Sequence, residues 1–450
     1  MFKNNPVRRR LLSLTLPIFL ECLLVLLLGT MDTLMLSKYS DQAVASVGVV
    51  NQVFNMVILV FQVTTLGTSV LCSQYLGAGN KGKFNQVILV SLLFNLLLGV
   101  ITSVFLLFQS ETLLRWMHLA PELMDDGVRY MKIVGGFAFI QSVSLTISAV
   151  LRSANMAKYP MLVTLVINVL NALGNYALIF GNWGMPELGA QGAAIATSVS
   201  RLAAAFILIY LLYRNMPSCF VRNLLRPFPF RELKKMLGIG MPAAGEQMSY
   251  SFSQVVVTMF INMIAIEAVA TRTYVMNIVM FTYTFAMSVS LGNSILVGQL
   301  IGEGRKEEAY RICLDSLKGA LVITGLIAGV IAGSGSVILG LLTDNEQIIR
   351  LGVMILFVDF ILEFGRCVNM MLVNGLRSTG DARFPVMLGL FSMWVFATGL
   401  SWVLGISMGY GLLGMWIAFT IDECFRAVIL YRRWKSKKWM ERELIAVPTQ

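Results

Sequence analysis

Pro17-Ile18-Phe19-Leu20-Glu21 and Pro242-Ala243-Ala244-Gly245-Glu246 stand 225 residues apart, each opening a long apolar run. The same offset of 225 pairs Ala43-Val44-Ala45 with Ala268-Val269-Ala270, Gly67 with Gly292, Gln74 with Gln299 and Gly77-x-Gly79 with Gly302-x-Gly304. It also pairs Leu151-Arg152-Ser153 with Leu376-Arg377-Ser378, and Pro160 with Pro385. Further on the offset slips to 222, where Gly192 meets Gly414. Leucine or valine coincidences carry little weight in an apolar chain. Proline, glycine, glutamate and arginine matches in one register mark an internal duplication, so the two halves are expected to fold alike.

The chain has 450 residues, of which 57% are hydrophobic and only 13% charged, with a mean hydropathy of +0.75. Soluble domains carry about 25% charged residues, so an ordinary soluble enzyme, a disordered chain and a coiled coil are excluded. Twelve apolar segments follow one another: 11–36, 46–73, 85–108, 128–150, 160–181, 189–213, 237–264, 274–300, 312–342, 350–375, 385–407 and 411–432. Each is long enough to cross a bilayer, which takes roughly 20 helical residues. Barrel strands would be shorter and alternating, so helices are expected. The first segment is too long for a signal-peptide core and reads as an uncleaved span.

Twelve spans put both ends on one side of the membrane. The N-terminus (Lys3, Arg8, Arg9, Arg10), the even-numbered loops, the basic linker and the tail together hold 25 Lys and Arg, against about five on the other side. That asymmetry places both termini in the cytoplasm. The expected organisation is a six-helix lobe over 1–213, a cytoplasmic linker over 214–236 containing Arg222, a second six-helix lobe over 237–432 and a cytoplasmic tail over 433–450. Two parallel repeats of even span number enclose a cleft that opens to either face by rocking. Trp434 and Trp439, among the basic residues of the tail, read either as an interfacial anchor or as a simple stop-transfer cap.

Six scattered cysteines and the single His118 provide no metal or triad motif. No nucleotide-binding motif is present, which argues against direct drive by ATP. The net charge of +11 is explained by topology rather than nucleic acid.

Several stretches resemble the multidrug and toxic compound extrusion (MATE) family across essentially the whole chain. They are Gly29-Thr-Met-Asp32-Thr33, Gln74-Tyr-Leu-Gly-Ala-Gly79, Gly184-Met-Pro-Glu-Leu-Gly-Ala-Gln-Gly-Ala-Ala-Ile-Ala-Thr197, Gln299-Leu-Ile-Gly-Glu-Gly304 and Leu376-Arg-Ser-Thr-Gly-Asp381. The resemblance implies an all-α membrane fold of twelve transmembrane helices in two six-helix lobes related by a pseudo-two-fold repeat. It implies no covalent chemistry and no cofactor, but export of organic, often cationic, amphiphilic compounds against inward Na⁺ or H⁺. The family's first-span acid falls on Asp32 and its polar fifth-span pair on Asn171 and Asn175; some members have Asp at the second of these. Where many members have a span-seven Glu this chain has Tyr250, and where some have a span-ten Asp it has Arg366. The second lobe is therefore a variant built on Glu246, Glu363 and Arg366.

Charge inside a bilayer is expensive, roughly 2.5–3.5 kcal/mol per residue on the insertion scale, so these residues need a reason. Asp32 reads either as a helix-end acid paired with Lys38 or as a carboxylate alternating between coupling cation and substrate. Asp32 and Asn175 are the candidates for Na⁺, a hard cation that takes oxygen ligands. Glu21 and Glu246, one turn after a proline, read either as packed kink residues or as cleft acids at a hinge. Glu363 and Arg366, spaced i,i+3, read as an ion pair or as part of the substrate site. Gln52 and Asn277 are candidate cleft-lining polar residues, and the intramembrane charge reads as mostly acidic, Arg366 excepted.

The expected activity is secondary antiport by alternating access. The expected partners are a small-molecule substrate and membrane lipid, with no nucleic acid, in a monomer at the cell membrane. A lipid-linked oligosaccharide flippase of the same superfamily is the alternative; it would want a basic cleft. A membrane-embedded enzyme would need His or Cys clusters, and a channel would need a ring of acids at one depth.

Overall fold

A computed structural model describes residues 6–220 and 226–445. Lys3 and Arg222 of the topology argument lie outside the described residues, as does the side chain of Arg8. The described residues form helices and connecting turns, with no strand among them. The helices are α1 (Pro6–Ser37), α2 (Asp41–Gly77), α3 (Lys81–Trp116), α4 (Pro121–Gly136), α5 (Ala138–Ser153), α6 (Lys158–Ile179) and α7 (Ala190–Asn215). They continue as α8 (Phe230–Asn262), α9 (Ile266–Gly302), α10 (Lys306–Gly333), the short α11 (Gly335–Gly340) and α12 (Glu346–Thr379). The last two are α13 (Arg383–Ser407) and α14 (Gly411–Lys435).

Among the described residues, eight helices are long and apolar enough to cross a membrane, and α4 with α5, bent by 46°, makes a ninth. The other long helices, α8, α12 and α14, have 33, 34 and 25 residues but carry charged or polar side chains in mid-helix. Together these account for twelve spans. The fourth expected segment is thus a broken helix rather than a straight one. The ninth ends earlier than expected, at Gly333, before the separate α11. α13 runs as a π-helix over Met393–Leu400 and Trp402–Ser407, a wide form uncommon outside functional or strained sites.

Local chemistry explains the punctuation. Ser40 caps α2 and Asn80 caps α3 by accepting backbone amides, as short polar side chains do at helix starts. Gly79 (φ +65°) and Gly304 (φ +78°) adopt the left-handed backbone in the turns after α2 and α9, where glycine avoids a Cβ clash. These are the repeat-related glycines of the two G-x-G stretches.

The chain divides into two compact units, one of Leu16–Gly240 and one of Met1–Thr15 with Met241–Gln450. In the first unit the core runs through Val47, Val50, Phe54 and Phe61 of α2, Leu106 and Leu114 of α3, Tyr130 and Met131 of α4, and Ala193 and Ala194 of α7. In the second, one cluster gathers Leu296, Leu300, Cys313, Met371, Leu376, Trp434 and Trp439, and another gathers Val257, Val275, Ile355 and Trp416. Large side chains such as Phe108 (80% exposed), Phe206 (65%) and Val330 (68%) point outward. Apolar surface on this scale needs lipid around it.

The unit boundaries, after Thr15 and after Gly240, are again 225 apart. The opening turns of α1 therefore group with the second unit and the opening turns of α8 with the first. Gly67 and Gly292 make room for these exchanged segments. A Cβ on Gly67 would lie 2.2 Å from the Met236 carbonyl oxygen, and one on Gly292 would lie 2.6 Å from Thr15 Oγ1. Thr68 and Ser91 both donate to Met236 Sδ at 3.3 Å. The division at Gly240 rather than in the 214–236 linker is a consequence of this packing.

The tail corrects one expectation. Trp434 and Trp439 are fully buried and stack with centroids 4.5 Å apart. They close the core of the second unit instead of sitting at a membrane surface. Lys306 Nζ donates to the Met440 carbonyl at 2.7 Å, tying the tail to the start of α10.

Candidate ion and substrate sites

In the unit of Leu16–Gly240, small residues let two helices approach closely. A Cβ on Gly174 would lie 2.9 Å from Ala196 Cβ, and one on Gly192 would lie 2.3 Å from the Leu178 carbonyl oxygen. On α6, Asn171 and Asn175 are i,i+4 and share a face. Asn175 Nδ2 donates to Asp32 Oδ1 at 2.6 Å and to Asn171 Oδ1 at 3.0 Å. Asn171 Nδ2 donates to Thr197 Oγ1 on α7 at 3.2 Å. Tyr130 of α4 brings its hydroxyl beside Thr197, and Arg201, one turn beyond Thr197, interacts electrostatically with Asp32 and Tyr130. Both asparagines are fully buried, yet Asn175 Oδ1 accepts no hydrogen bond. A buried acceptor left empty costs about 1–3 kcal/mol, a cost that any donor or cation meeting it would remove. On α1, the residues Val25, Leu26, Gly29, Thr30, Thr33 and Leu34 line an open depression of about 400 Å³.

The structure thus brings Asp32, Asn171 and Asn175 together, and Asp32 bonds Asn175 rather than Lys38. Sequence reading missed Thr197, Tyr130 and Arg201. The available signal was the i,i+4 pair of Thr197 and Arg201 inside an apolar span.

Glu21 and Glu246 are engaged elsewhere. Arg152 Nη1 donates to Glu21 Oε1 at 2.8 Å, and Arg377 Nη2 donates to Glu246 Oε2 at 2.8 Å. Gln52 and Asn277 are exposed on α2 and α9 and join neither cluster.

In the unit containing Met241–Gln450, Glu363 pairs with Arg366 on α12. Helix α14 adds three charged residues that sequence reading did not single out. Arg426 Nη2 contacts Asp422 at 2.6 Å and Glu423 at 3.0 Å. Asn369 donates to Glu423, Ser392 to Asp422, and Trp416 Nε1 to Asp359 Oδ1 at 3.0 Å. Arg272 of α9 donates to Thr258 Oγ1 at 2.5 Å and Gln254 Oε1 at 2.9 Å. Arg201, Arg272 and Arg426 join Arg366 within the helices. The expectation of a mostly acidic interior with one arginine is therefore corrected: arginine and carboxylate are interleaved in both units.

Known proteins resemble this chain over nearly its full length. It is 38% identical over 448 residues to the uncharacterized transporter YisQ of Bacillus subtilis, covering 98% of each chain. It is 28% identical over 442 residues to the probable multidrug resistance protein NorM of Thermotoga maritima, covering 98% of this chain and 94% of that one. A crystal structure described as MATE in the straight conformation superposes with a TM-score of 0.87 at 22% identity, covering 97% of each chain. The MatE family model matches twice, over residues 17–177 and 242–403, starting on the two repeat prolines. On this evidence the chain belongs to the MatE family of multi-pass membrane transporters, and it is a transporter rather than an enzyme.

Proposed function

We propose that this transporter is a secondary antiporter. It exports organic, cationic amphiphilic compounds in exchange for Na⁺ or H⁺ by alternating access, with the coupling ion taken at Asp32. The observation that carries this reading is the buried, unsatisfied Asn175 Oδ1 beside the Asp32 carboxylate. A proton on Asp32 would donate to that oxygen; Na⁺ would take both oxygens as ligands. The depression along α1 offers a substrate an apolar surface next to the helix that bears Asp32. Cation and substrate compete for the carboxylate, and that competition supplies the coupling free energy. The name of NorM, a multidrug resistance protein, supports a drug-like substrate.

A monomer in the cell membrane with both termini cytoplasmic completes the proposal. The flippase alternative draws nothing from the arginines within the helices, because acids accompany Arg201, Arg366 and Arg426. The test is Asp32→Asn in a well-expressed protein: gradient-driven efflux should be abolished, whereas normal efflux would remove Asp32 from the mechanism.

A further inference from the structure

The charges buried on α12 and α14 do not balance. Asp359 is 3% exposed, Glu363 0% and Asp422 3%, and the Glu423 side chain is 16% exposed. Four carboxyls face two guanidiniums, Arg366 and Arg426. If all six are ionised, the network carries two surplus negative charges. Arg272 on α9 spends its hydrogen bonds on neutral Thr258 and Gln254. Even counting it, one negative charge remains. Tyr250 of α8 interacts with Arg366, Glu423, Arg426 and Arg272 and adds no cation. From α10, Thr324 lies beside Cys367 on the same stretch of α12 and adds no charge.

Burying uncompensated charge is strongly unfavourable, so the surplus must be met. Two orphaned atoms show that the network is incomplete: Glu363 Oε2 and Asn369 Oδ1 are buried and accept no hydrogen bond. A carboxylate oxygen without a donor is the costliest place to leave an anion and the cheapest to neutralise. A metal ion fits poorly. Among the described residues, no three His, Cys, Asp or Glu side chains converge on a point, and the two guanidiniums already occupy the carboxylates.

We propose that the α12–α14 network is a proton-binding site. It holds a proton on Glu363 at neutral pH, independently of the ion taken at Asp32. The proton is the one positive charge still missing once Arg272 is counted with Arg366 and Arg426, and the α14 acids Asp422 and Glu423 are what make it necessary.

The test is infrared spectroscopy of the purified full-length protein in lipid at neutral pH, without substrate. A protonated carboxyl has a carbonyl stretch that a carboxylate lacks. The proposal predicts such a band in the wild type and in Asp32→Asn, where Asp32 can no longer contribute to it, and its loss when Glu363→Gln is added to Asp32→Asn. In the same Asp32→Asn background the band should also fade with Glu423→Gln, which removes the one surplus charge and keeps the test open if Glu363→Gln does not fold. The proposal is overturned by absence of the band in the wild type. It is equally overturned by its persistence in folded Asp32→Asn protein that also carries Glu363→Gln or Glu423→Gln, or by its loss from Asp32→Asn on adding Na⁺ at constant pH. None of these readouts depends on transport, so they fail or succeed separately from the proposed antiport.

Discussion

Glu21 and Arg152 form an ion pair at 2.8 Å that Glu246 and Arg377 reproduce at 2.8 Å. In both cases the partners are 131 residues apart. Each glutamate lies one turn after the repeat proline, just beyond the point where its helix passes from one unit's packing into the other's. Each arginine lies in the last turn of its helix, α5 or α12, where a cation is favoured by the helix dipole. The pair holds the proline-weakened helix to its own unit. Removing one partner of a buried pair costs about 3–5 kcal/mol. These side chains are 11–18% exposed, so Arg152→Ala and Arg377→Ala should each lose roughly 3 kcal/mol, at the low end. Thermal unfolding in detergent measures this, and the exchange Glu21→Arg with Arg152→Glu should recover part of the loss.

The exchanged helix segments make a sharper steric prediction. A Cβ on Gly240 would lie 1.6 Å from the Val63 carbonyl oxygen, whereas one on Gly29 would meet nothing within 4 Å. Gly240→Ala should therefore cost at least the 1–3 kcal/mol typical of overpacking and sharply reduce monodisperse protein on size-exclusion chromatography. Gly29→Ala should be neutral or stabilise the helix by up to about 1 kcal/mol.

Asn175 orients the Asp32 carboxylate through a 2.6 Å hydrogen bond. A hydrogen bond to a charged group contributes about 1.5–3 kcal/mol. Asn175→Ala should then lower the apparent affinity for the coupling ion by roughly ten- to a hundred-fold, while an alanine at exposed Gln52 should change it little. Titrating efflux against ion concentration separates the two.

Arg201 opposes any cation arriving at Asp32. Replacing it with leucine removes that like charge, an effect of about 1–2 kcal/mol for charges roughly 8–16 Å apart at an effective dielectric near 20. Ion affinity should rise about 5- to 30-fold, with slower release and a lower maximal efflux rate in the same titration.

Trp439→Ala tests the assignment of the tail to the core. Loss of a buried aromatic costs about 3–5 kcal/mol, whereas an interfacial anchor would leave the unfolding midpoint nearly unchanged.

The duplicated register made much of this fold legible. Prolines, glycines, glutamates and arginines matched at 225 turn out to be the turns, close approaches and ion pairs of both units. Asp32, Asn171 and Asn175 came from motif resemblance and meet in space. What stayed hidden has a physical cause. A repeat shows which residues correspond, but not that Met236 packs against Gly67 while Thr15 packs against Gly292. Charges such as Arg201, Asp422 and Arg426 sit singly or in short runs within apolar helices, where only their neighbours reveal whether they are balanced. Trp434 and Trp439 have the composition of a membrane anchor, and only the chain reversal between them turns both inward.

The most direct measurement is efflux of a cationic dye from proteoliposomes under an imposed Na⁺ gradient or an imposed pH gradient, with Asp32→Asn alongside. Antiport coupled at Asp32 predicts dye movement driven by one of the two gradients and lost in Asp32→Asn despite normal insertion. Dye movement that ignores both gradients, or that Asp32→Asn leaves intact, would contradict it.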